Sequence, residues 1–372
     1  MSEKAMNEVT TPNLPEYSAV EAWRQVQPRY SEPKSIEILK SKKKSAVFRL
    51  IGAGPGDTSI IAKRCVSPVA LFERMVYEEI LAGLQVSTPH WYGFLQETDG
   101  QYGWLFLEDG GGKYDRTCAE HRALAGRWLG ALHVAGVKMK PEHRLPRLDP
   151  DRYLNLLHTS CEGLRMNFTN PILPEEDVQM LQALVADCGV LESHWEKVEK
   201  ICQYMPRTIV HGDFVIRNIC VRDTAEGPVL WAIDWEKAGY GVPVTDLAQY
   251  TGRTASPDLD AYSSVLREYL PHIDEMAVRE LSECGKFFRL LDDISWEIPK
   301  FMCKPYKYLI TPMLCLKSYQ SRLHEALQTI EWTKSIRVAE HLVVKENGHI
   351  AVPEQDTCRN VKHEIQTNVA HV

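Results

Sequence analysis

The chain changes character near residue 110, and this change limits the folds that it can adopt. Before that point come short β-rich runs, namely SIEILKS, SAVFRLIG and SIIAKRC between residues 35 and 65, and WYGFLQE and GWLFLED between residues 91 and 109. After it, apolar residues recur at helical spacing over several long segments. Three consecutive glycines, Gly110 to Gly112, stand between the two blocks and predict a hinge. The expected fold class is α+β, with a small β-rich lobe before a larger, mainly helical one.

Four parts follow from this pattern. Residues 1–18 are polar and are expected to be a mobile lead-in, 19–109 to be the N-lobe, 110–345 the C-lobe, and 346–372 a disordered tail. Helices are expected over 69–84, 117–136, 149–166, 175–203, 258–300 and 312–345. A short β-rich insert, RTIVHGDFVIRNICV and VLWAIDWE, interrupts the helical block.

Charge and cysteine content narrow the class of partner. The chain has 372 residues, with 43 Lys and Arg against 50 Asp and Glu, and a formal charge of −7, which argues against a nucleic-acid partner. No run approaches the roughly 20 apolar residues of a membrane helix, and the first residues do not resemble a signal peptide, so a cytoplasmic protein without a membrane partner is expected. The ten cysteines include no CxxC pair, which favours free thiols over a zinc site.

The segment HGDFVIRN, from His211 to Asn218, is the most informative motif. Asp213 stands in a polar loop, Asn218 follows five residues later, and Asp234 follows sixteen residues after Asn218 in the run AIDWE. Two carboxylates and an amide around a predicted hairpin suit Mg²⁺, which binds oxygen ligands together with phosphate oxygens. Asp213 would then accept the proton of an attacking hydroxyl, while Asn218 and Asp234 hold the metal. The alternative is a β-hairpin whose polar residues only cap turns.

These residues resemble the aminoglycoside phosphotransferase and choline kinase group of small-molecule kinases, whose signature is HGDxxxxN followed by an IDWE-like strand. The resemblance spans about residues 35–345 and implies the bilobal protein-kinase-like fold, with ATP and Mg²⁺ as cofactors. It implies that Asp213 is the catalytic base and that His211 braces the catalytic loop. The run GVPVTDLA resembles the family's G-x-P-x-x-D-L-A segment, in which Asp246 would support that loop.

Lys63 stands on the third predicted strand, where a kinase places its phosphate-contacting lysine. Its charge would neutralise α- and β-phosphate oxygens. In the helix that follows, Glu73 with Tyr77 is similar to the family's E-x-x-x-Y pattern, and Glu73 is therefore the expected partner of Lys63. Glu78 remains an alternative, and a lysine at a strand edge is by itself often only a solvated charge.

The nucleotide loop is predicted at residues 40–45, where backbone N–H groups and the hydroxyls of Ser41 and Ser45 would hold phosphates. The glycine-rich run at 52–56 is too close to Lys63 for this purpose and is interpreted as a turn. Three adjacent lysines at 42–44 are equally compatible with a plain solvated turn. The strand that ends at 109 would offer its backbone to adenine, with Leu107, Ile61 and Ile233 around the base or simply in the apolar core.

The acceptor is predicted from charge in the helical segment 254–300, which carries ten acidic and five basic residues. In the family the acceptor binds near these helices, so the run LLDDISWEI is the expected binding region. Carboxylates beside an aromatic ring suit an amino or quaternary ammonium group, and a solvated acidic helix face is the alternative. The side chains chosen on this basis are Asp292, Asp293, Trp296 and Glu297.

The expected function is ATP- and Mg²⁺-dependent transfer of the γ-phosphoryl group to a hydroxyl of a small molecule, such as an aminoglycoside or another amino-bearing alcohol. Kinases of a neutral sugar or amino acid use the same motifs, and so does a nucleotide-binding pseudoenzyme that acts as an interaction protein. A protein kinase is disfavoured because the chain has no DFG or APE motif. The choice of ATP or GTP and the oligomeric state remain open.

Overall fold

A computed structural model describes residues 8–10, 18–302 and 305–330. Most of the predicted lead-in, the helical stretch predicted beyond residue 330 and the predicted tail over 346–372 lie outside these residues. Within the lead-in, Glu8–Thr10 is a strand that pairs with the first strand of the β-rich block.

The N-terminal part is a six-stranded antiparallel sheet with two helices. The strands are β1 Glu8–Thr10, β2 Ser35–Lys42, β3 Ser45–Ile51, β4 Ile60–Val66, β5 Trp91–Gln96 and β6 Tyr102–Glu108. The helices are α1 Ser18–Val26 and α2 Ser67–Met75. In the sheet the order is β1-β2-β3-β4-β6-β5, so β4 lies between β3 and β6 near the centre. All five strands that the sequence predicts are present.

The two faces of this sheet carry different side chains, because directly paired residues of antiparallel strands share a face and successive residues alternate. Ile36, Leu50 and Ile60 form one row across β2, β3 and β4 and are fully buried. They share a hydrophobic cluster with Trp23 of α1. The other face carries the row that contains Lys63, which pairs across the sheet with a residue on each side. Lys63 is therefore directed away from α1.

Helix α2 does not continue as the single amphipathic helix predicted over 69–84. It ends at Met75 and passes into a π-helical turn over Val76–Ile80 and a short 3₁₀ turn over Leu81–Gly83. A π turn contains one extra residue, and here it lets both Val76 and Tyr77 face the core. The widened turn follows Glu73, which is itself completely buried.

The C-terminal part is mainly helical, as predicted. Its helices are α3 Ala119–Met139, α4 Pro150–Arg165, α5 Glu175–Ser193, α6 Trp195–Cys202, α7 Val244–Leu247, α8 Leu259–Tyr269, α9 Glu275–Glu297 and α10 Ile310–Thr329. Its strands are β7 Arg147–Leu148, β8 Thr208–Val210, β9 Ile219–Thr224, β10 Gly227–Ala232 and β11 Gly239–Gly241. The predicted α+β class, with a β-rich N-lobe and a helical C-lobe, is confirmed.

One large hydrophobic cluster supports the C-lobe. Helix α9 lies at its centre, and Phe287 and Phe288 of this helix are almost fully buried. The hairpin of β9 and β10 pairs Ile219 with Ala232, which brings the residues before β9 close to those after β10. In the parts of the chain that the structure describes, no helix is both long and apolar enough to span a membrane.

Candidate active site

Lys63 on β4 contacts two carboxylates from different parts of the fold. Its Nζ lies 2.5 Å from Oε1 of Glu73 on α2 and also donates a hydrogen bond to Oδ1 of Asp234, which follows β10. Glu78 instead accepts a hydrogen bond from Arg74 at 2.8 Å. Glu73 is thus the helix carboxylate that pairs with Lys63, which settles the choice that the sequence left open.

Burial and charge act against each other in this group. Burial lowers the pKa of Lys63, but Glu73 and Asp234 raise it by more, so its pKa lies above the ordinary value. Burial also raises the pKa of Glu73, and Lys63 only partly offsets this. Among the described residues, Glu73 Oε2 has no hydrogen-bond partner although it is buried. A buried carboxylate oxygen without a donor is costly, so an added cation would be favourable here.

Asp213 is held by three donors. Its Oδ2 accepts hydrogen bonds from Asn218 Nδ2 at 3.0 Å and from Arg217 Nη2 at 2.8 Å, and Arg289 Nη2 of α9 lies 3.2 Å from its Oδ1. Only 4% of the Asp213 side chain is exposed. The carboxylate therefore has a fixed orientation before any substrate binds.

The charge state of Asp213 follows from these neighbours. Burial by itself would raise the pKa of Asp213, but Arg289, Lys237 and Arg217 outweigh it, so the pKa lies below the ordinary value. Asp213 is therefore ionised at neutral pH and can accept a hydrogen bond from a hydroxyl group.

The loop that carries Asp213 is fixed from beneath by His211 and Asp246. Asp246 Oδ2 accepts the backbone N–H of His211 at 2.7 Å, and Asp246 Oδ1 accepts that of Gly212 at 3.0 Å. The His211 ring accepts the backbone N–H of Asp213 at Nδ1, so Nε2 carries the proton and donates to Ile233 O at 3.1 Å. Burial lowers the pKa of His211 more than the nearby carboxylates raise it. The neutral ring thus links the loop of Asp213 to the strand that leads to Asp234.

Gly212 is required by this arrangement, and Gly212→Ala is expected to lower the free energy of unfolding by about 3 kcal/mol or more. Its φ is +75°, and a Cβ there would lie 2.2 Å from the carbonyl oxygen of Lys237. Gly100→Ala is the matched control, since Gly100 has φ +70° but nothing within 4 Å of a Cβ. The control should lose only the roughly 1–2 kcal/mol of the left-handed backbone. Urea unfolding of both variants measures the difference, and equal losses would refute the steric argument.

The residues proposed to hold a metal lie next to one another. Asn218 O accepts the backbone N–H of Ile233 at 2.9 Å, which places Asp234 beside Asn218. Asn218 Nδ2 donates to Asp213, so the amide oxygen is the atom left for a metal. Asp234 has φ +68°, a left-handed conformation that is uncommon outside glycine and that concentrates at functional sites.

Carboxylate oxygens of Glu73, Asp234 and Glu236 lie within 4.8 Å of one another and could hold a metal ion. Oxygen ligands of this kind suit Mg²⁺. Together with the buried Glu73 oxygen that has no partner, this donor set fits a divalent cation. Glu236 is an acidic neighbour of the predicted ligands, and it is exposed.

The sheet face that carries Lys63, which forms the upper wall of the candidate site, is more polar than the sequence predicts. Leu107 pairs with Ile61 on β4, Ile61 with Arg49 on β3, and Arg49 with Glu37 on β2, so these four side chains form one row on the face of Lys63. Arg49 forms an ion pair with Glu37, and its Nε lies 2.6 Å from Oδ2 of Asp109 just after β6. The predicted apolar contacts Ile61 and Leu107 are therefore adjacent to a charged cluster that links the sheet to the segment between the lobes.

The predicted nucleotide loop at 40–45 is smaller than expected. Strand β2 extends to Lys42 and β3 begins at Ser45, so only two residues form the turn. Ser45 pairs with Cys65 and lies on the face of Lys63, whereas Ser41 lies in the row of Arg64 on the opposite face. Strand pairing directs the Ser41 hydroxyl away from the face of Lys63, so of the two predicted phosphate contacts the register favours that of Ser45.

Lys40 begins the predicted nucleotide loop, although the sequence predicts no role for its side chain. It pairs with Val47, which pairs with Lys63, so its side chain shares the cleft face. It is close enough to contribute to the lowered pKa of Asp234, which burial opposes and Lys63 chiefly causes.

The side chains predicted to bind a cationic acceptor do not form a free acidic surface. Asp292 lies 3.6 Å from Arg152 and accepts a hydrogen bond from Tyr153 OH at 3.2 Å. Glu297 is buried and lies 2.6 Å from Lys300. Helix packing has thus already supplied partners for these two carboxylates, and their role in binding the acceptor stays a prediction.

Asp293 and Trp296 differ from the two paired carboxylates. Asp293 is partly exposed and lies 3.8 Å from Arg289, which also contacts Asp213. Trp296 is 69% exposed and has Lys300 Nζ 5.9 Å from its ring centre. Its indole is therefore not part of a closed binding pocket.

Three arginines for which the sequence predicts no role pair with carboxylates here: Arg289 and Arg217 with Asp213, and Arg49 with Asp109. Arg217 stands inside the HGDFVIRN motif, four residues after Asp213, and that spacing was the available signal. Arg49 is 60 residues from Asp109, and Arg289 is farther still from Asp213 along the chain. Both pairings depend on the tertiary fold.

Comparison with known proteins agrees with this geometry. A sequence model described as the phosphotransferase enzyme family matches residues 36–279 of the chain. A search of curated proteins gave no match.

Solved structures share the fold at low sequence identity. The GDP complex of an aminoglycoside 2′-phosphotransferase-IIIa mutant is 14% identical, with a TM-score of 0.59 over 85% of this chain and 100% of that one. Spectinomycin phosphotransferase in complex with ADP and spectinomycin is 10% identical, with a TM-score of 0.53 over 83% and 97%. Plasmodium vivax ethanolamine kinase is 14% identical, with a TM-score of 0.51 over 81% and 83%. The chain therefore has the bilobal fold of these kinases.

Proposed function

The chain belongs to the phosphotransferase enzyme family, and we propose that it transfers the γ-phosphoryl group of ATP to a hydroxyl group of a small molecule, with Mg²⁺ as cofactor. The observation that carries this proposal is the convergence of five side chains on one cleft. They are Lys63 on β4, Glu73 on α2, Asp213 and Asn218 between β8 and β9, and Asp234 just after β10.

Each group has a defined part in this reaction. The acceptor oxygen forms a bond to the γ-phosphorus, the bond to the bridging oxygen of ADP breaks, and the hydroxyl proton passes to Asp213. Lys63, held by Glu73, would neutralise charge on the α- and β-phosphates. Asn218 and Asp234 would hold Mg²⁺, which when bound neutralises charge on the phosphate oxygens.

Asp213 acts mainly by position. Its pKa lies below the ordinary value, so it is a weak base. In a loose transition state little proton transfer is needed before the phosphoryl group moves, and catalysis depends on alignment and electrostatics. The donors Asn218, Arg217 and Arg289 would fix the carboxylate in the line of attack.

The acceptor in this proposal is a small-molecule hydroxyl without further restriction. An aminoglycoside or other amino-bearing alcohol follows from the sequence only if the carboxylates of α9 are free, and Asp292 and Glu297 are already paired. The nucleotide-bound neighbours contain GDP and ADP, so both nucleoside triphosphates belong in the assay.

A turnover screen tests the proposed function. The purified full chain with Mg²⁺ and either ATP or GTP is offered alcohols of several classes, and products are identified by mass spectrometry. We expect one acceptor to gain one phosphoryl group in step with release of the nucleoside diphosphate, and the product to disappear with EDTA. Nucleotide binding without phosphorylation of any alcohol would favour a pseudoenzyme.

A further inference from the structure

Cations surround the carboxylate to which the acceptor hydroxyl must come. Arg217 and Arg289 both contact Asp213, at 2.8 and 3.2 Å. Lys237 supplies a third positive charge, close enough to contribute to the lowered pKa of Asp213. Arg217 is more than half exposed, with 56% of its side chain accessible. An acceptor that reaches Asp213 must therefore lie against this guanidinium group.

Three further arginines lie in or against the loop after α7, which contacts the turn that carries Arg217. The backbone N–H of Ile216 donates to Arg253 O at 3.0 Å, so Arg253 lies next to the turn that carries Arg217. Arg116 Nη1 donates to Gly252 O at 3.0 Å. A Cβ on Gly252 would lie 3.3 Å from Arg322 Nη1 and 3.8 Å from Asp293 Oδ2, so the guanidinium of α10 and this carboxylate of α9 both approach the loop. Arg253 is exposed and Arg322 is half-buried.

The carboxylates of α9 do not cancel this charge. Asp292 is paired with Arg152, and Asp293 lies 3.8 Å from Arg289. Burial raises the pKa of Asp293, although Arg289 and Lys237 act against it. Among the described residues, both charged side chains in ion-pair contact with Asp213 are arginines.

Two of these arginines have N–H donors for which the described residues show no hydrogen-bond partner. The hydrogen bond from Arg217 to Asp213 involves Nη2, which leaves Nε and Nη1 of this exposed group for a ligand. Arg289 Nε is buried and has no hydrogen-bond partner among the described residues. Guanidinium groups with free N–H donors bind carboxylate and phosphate oxygens in a fork.

We propose that the acceptor bears an anionic group, a carboxylate or a phosphate, close to the hydroxyl that is phosphorylated, and that Arg217 binds this group. The inference rests on the proposed function and names the substrate class of the same site. An ammonium group at this position would meet the Arg217 charge at contact distance and be repelled. The nearby arginines of the loop after α7 and of α10 extend the attraction toward solvent.

A charge series of alcohols with similar shape tests the proposal. The full chain, saturated with Mg²⁺ and the non-hydrolysable ATP analogue AMP-PNP, is titrated with glycerate, glycerol 3-phosphate, glycerol and 3-amino-1,2-propanediol. Larger hydroxy acids, sugar phosphates, sugars and aminoglycosides are added as a second panel. We expect the best anionic member to bind at least about tenfold more tightly than the best cationic one. The carboxylate and phosphate arms show which anion the site prefers.

Variants of Arg217 link this preference to one side chain. Arg217→Met is expected to weaken the preferred anionic alcohol about tenfold or more, and Arg217→Lys to restore part of the loss. AMP-PNP affinity should change much less than the affinity for the anionic alcohol in both. Arg279→Gln is the matched control, since Arg279 lies on α9 but pairs with Asp260 at 2.6 Å on the surface. Thermal unfolding of each variant verifies that it folds.

Tighter binding of the cationic panel, equal or absent binding across the panels, or an unchanged affinity in Arg217→Met would overturn the inference. Phosphorylation of a cationic alcohol would leave the proposed function intact and refute only the charge of the acceptor. Preferential binding of an anionic alcohol that is lost in Arg217→Met, without any transfer from ATP, would support the inference and count against the proposed function.

Discussion

Asp213→Asn is expected to reduce phosphoryl transfer by at least about a hundredfold while Mg·ATP affinity stays within a few-fold of wild type. The amide keeps the size of the carboxylate and one acceptor oxygen, but it cannot take the hydroxyl proton. The substitution also removes the negative charge with which Arg217 and Arg289 both form ion pairs. Single-turnover transfer to the acceptor found in the screen and calorimetric titration with Mg·ATP measure the two quantities.

Asp223→Asn is the matched control, because Asp223 is an exposed carboxylate on β9, beyond the catalytic loop. It should leave both transfer and nucleotide affinity unchanged. The buried Arg289 loses one of its two carboxylate contacts in Asp213→Asn, so thermal unfolding must accompany the kinetics. A folded Asp213→Asn that retains turnover within a few-fold of wild type would show that another group accepts the proton.

The sequence was sufficient for the parts of the site that depend on local pattern. The strand of Lys63, the loop of Asp213 and the strand before Asp234 follow from period-two runs and polar breaks, and these elements form where predicted. The broad division into a β-rich and a helical lobe was predictable for the same reason. The resemblance of Glu73 and Tyr77 to the family's E-x-x-x-Y pattern favoured Glu73 as the partner of Lys63, and the structure pairs these two residues.

Long-range pairing of charged side chains was not predictable. Ten acidic residues in 254–300 suggested an acidic acceptor surface. In the structure, however, Asp292 pairs with Arg152 on α4, and the buried Arg289 pairs with Asp213. A charge count along the chain gives every residue the same weight, whereas an ion pair removes two charges from the surface potential. Strand register was also not predictable from the sequence. The face on which Ser41 lies depends on a two-residue turn and on the irregular pairing between Ile38 and Lys40.

Asp234→Asn is expected to weaken Mg·ATP binding by about tenfold or more, because it removes a charged oxygen ligand. Asparagine is chosen over alanine because it tolerates the left-handed backbone of Asp234, whose φ is +68°. Without Mg²⁺ the sign should reverse. The carboxylate then repels the phosphates and also holds Lys63, so the variant should bind ATP in EDTA as tightly as wild type or more tightly. Calorimetry with and without Mg²⁺ measures both affinities.

Glu236→Gln distinguishes between two possible sets of metal ligands. If Asn218 and Asp234 hold it, Glu236→Gln should change Mg·ATP affinity much less than Asp234→Asn does, since Glu236 is exposed. If the carboxylates of Glu73, Asp234 and Glu236 hold it together, the two substitutions should have similar effects. An unchanged Mg·ATP affinity in Asp234→Asn would place the metal elsewhere. In that case the contact between Asp234 and Lys63 would be an ion pair that fixes the lysine, and the substitution would lower the stability of the fold more than it lowers nucleotide affinity.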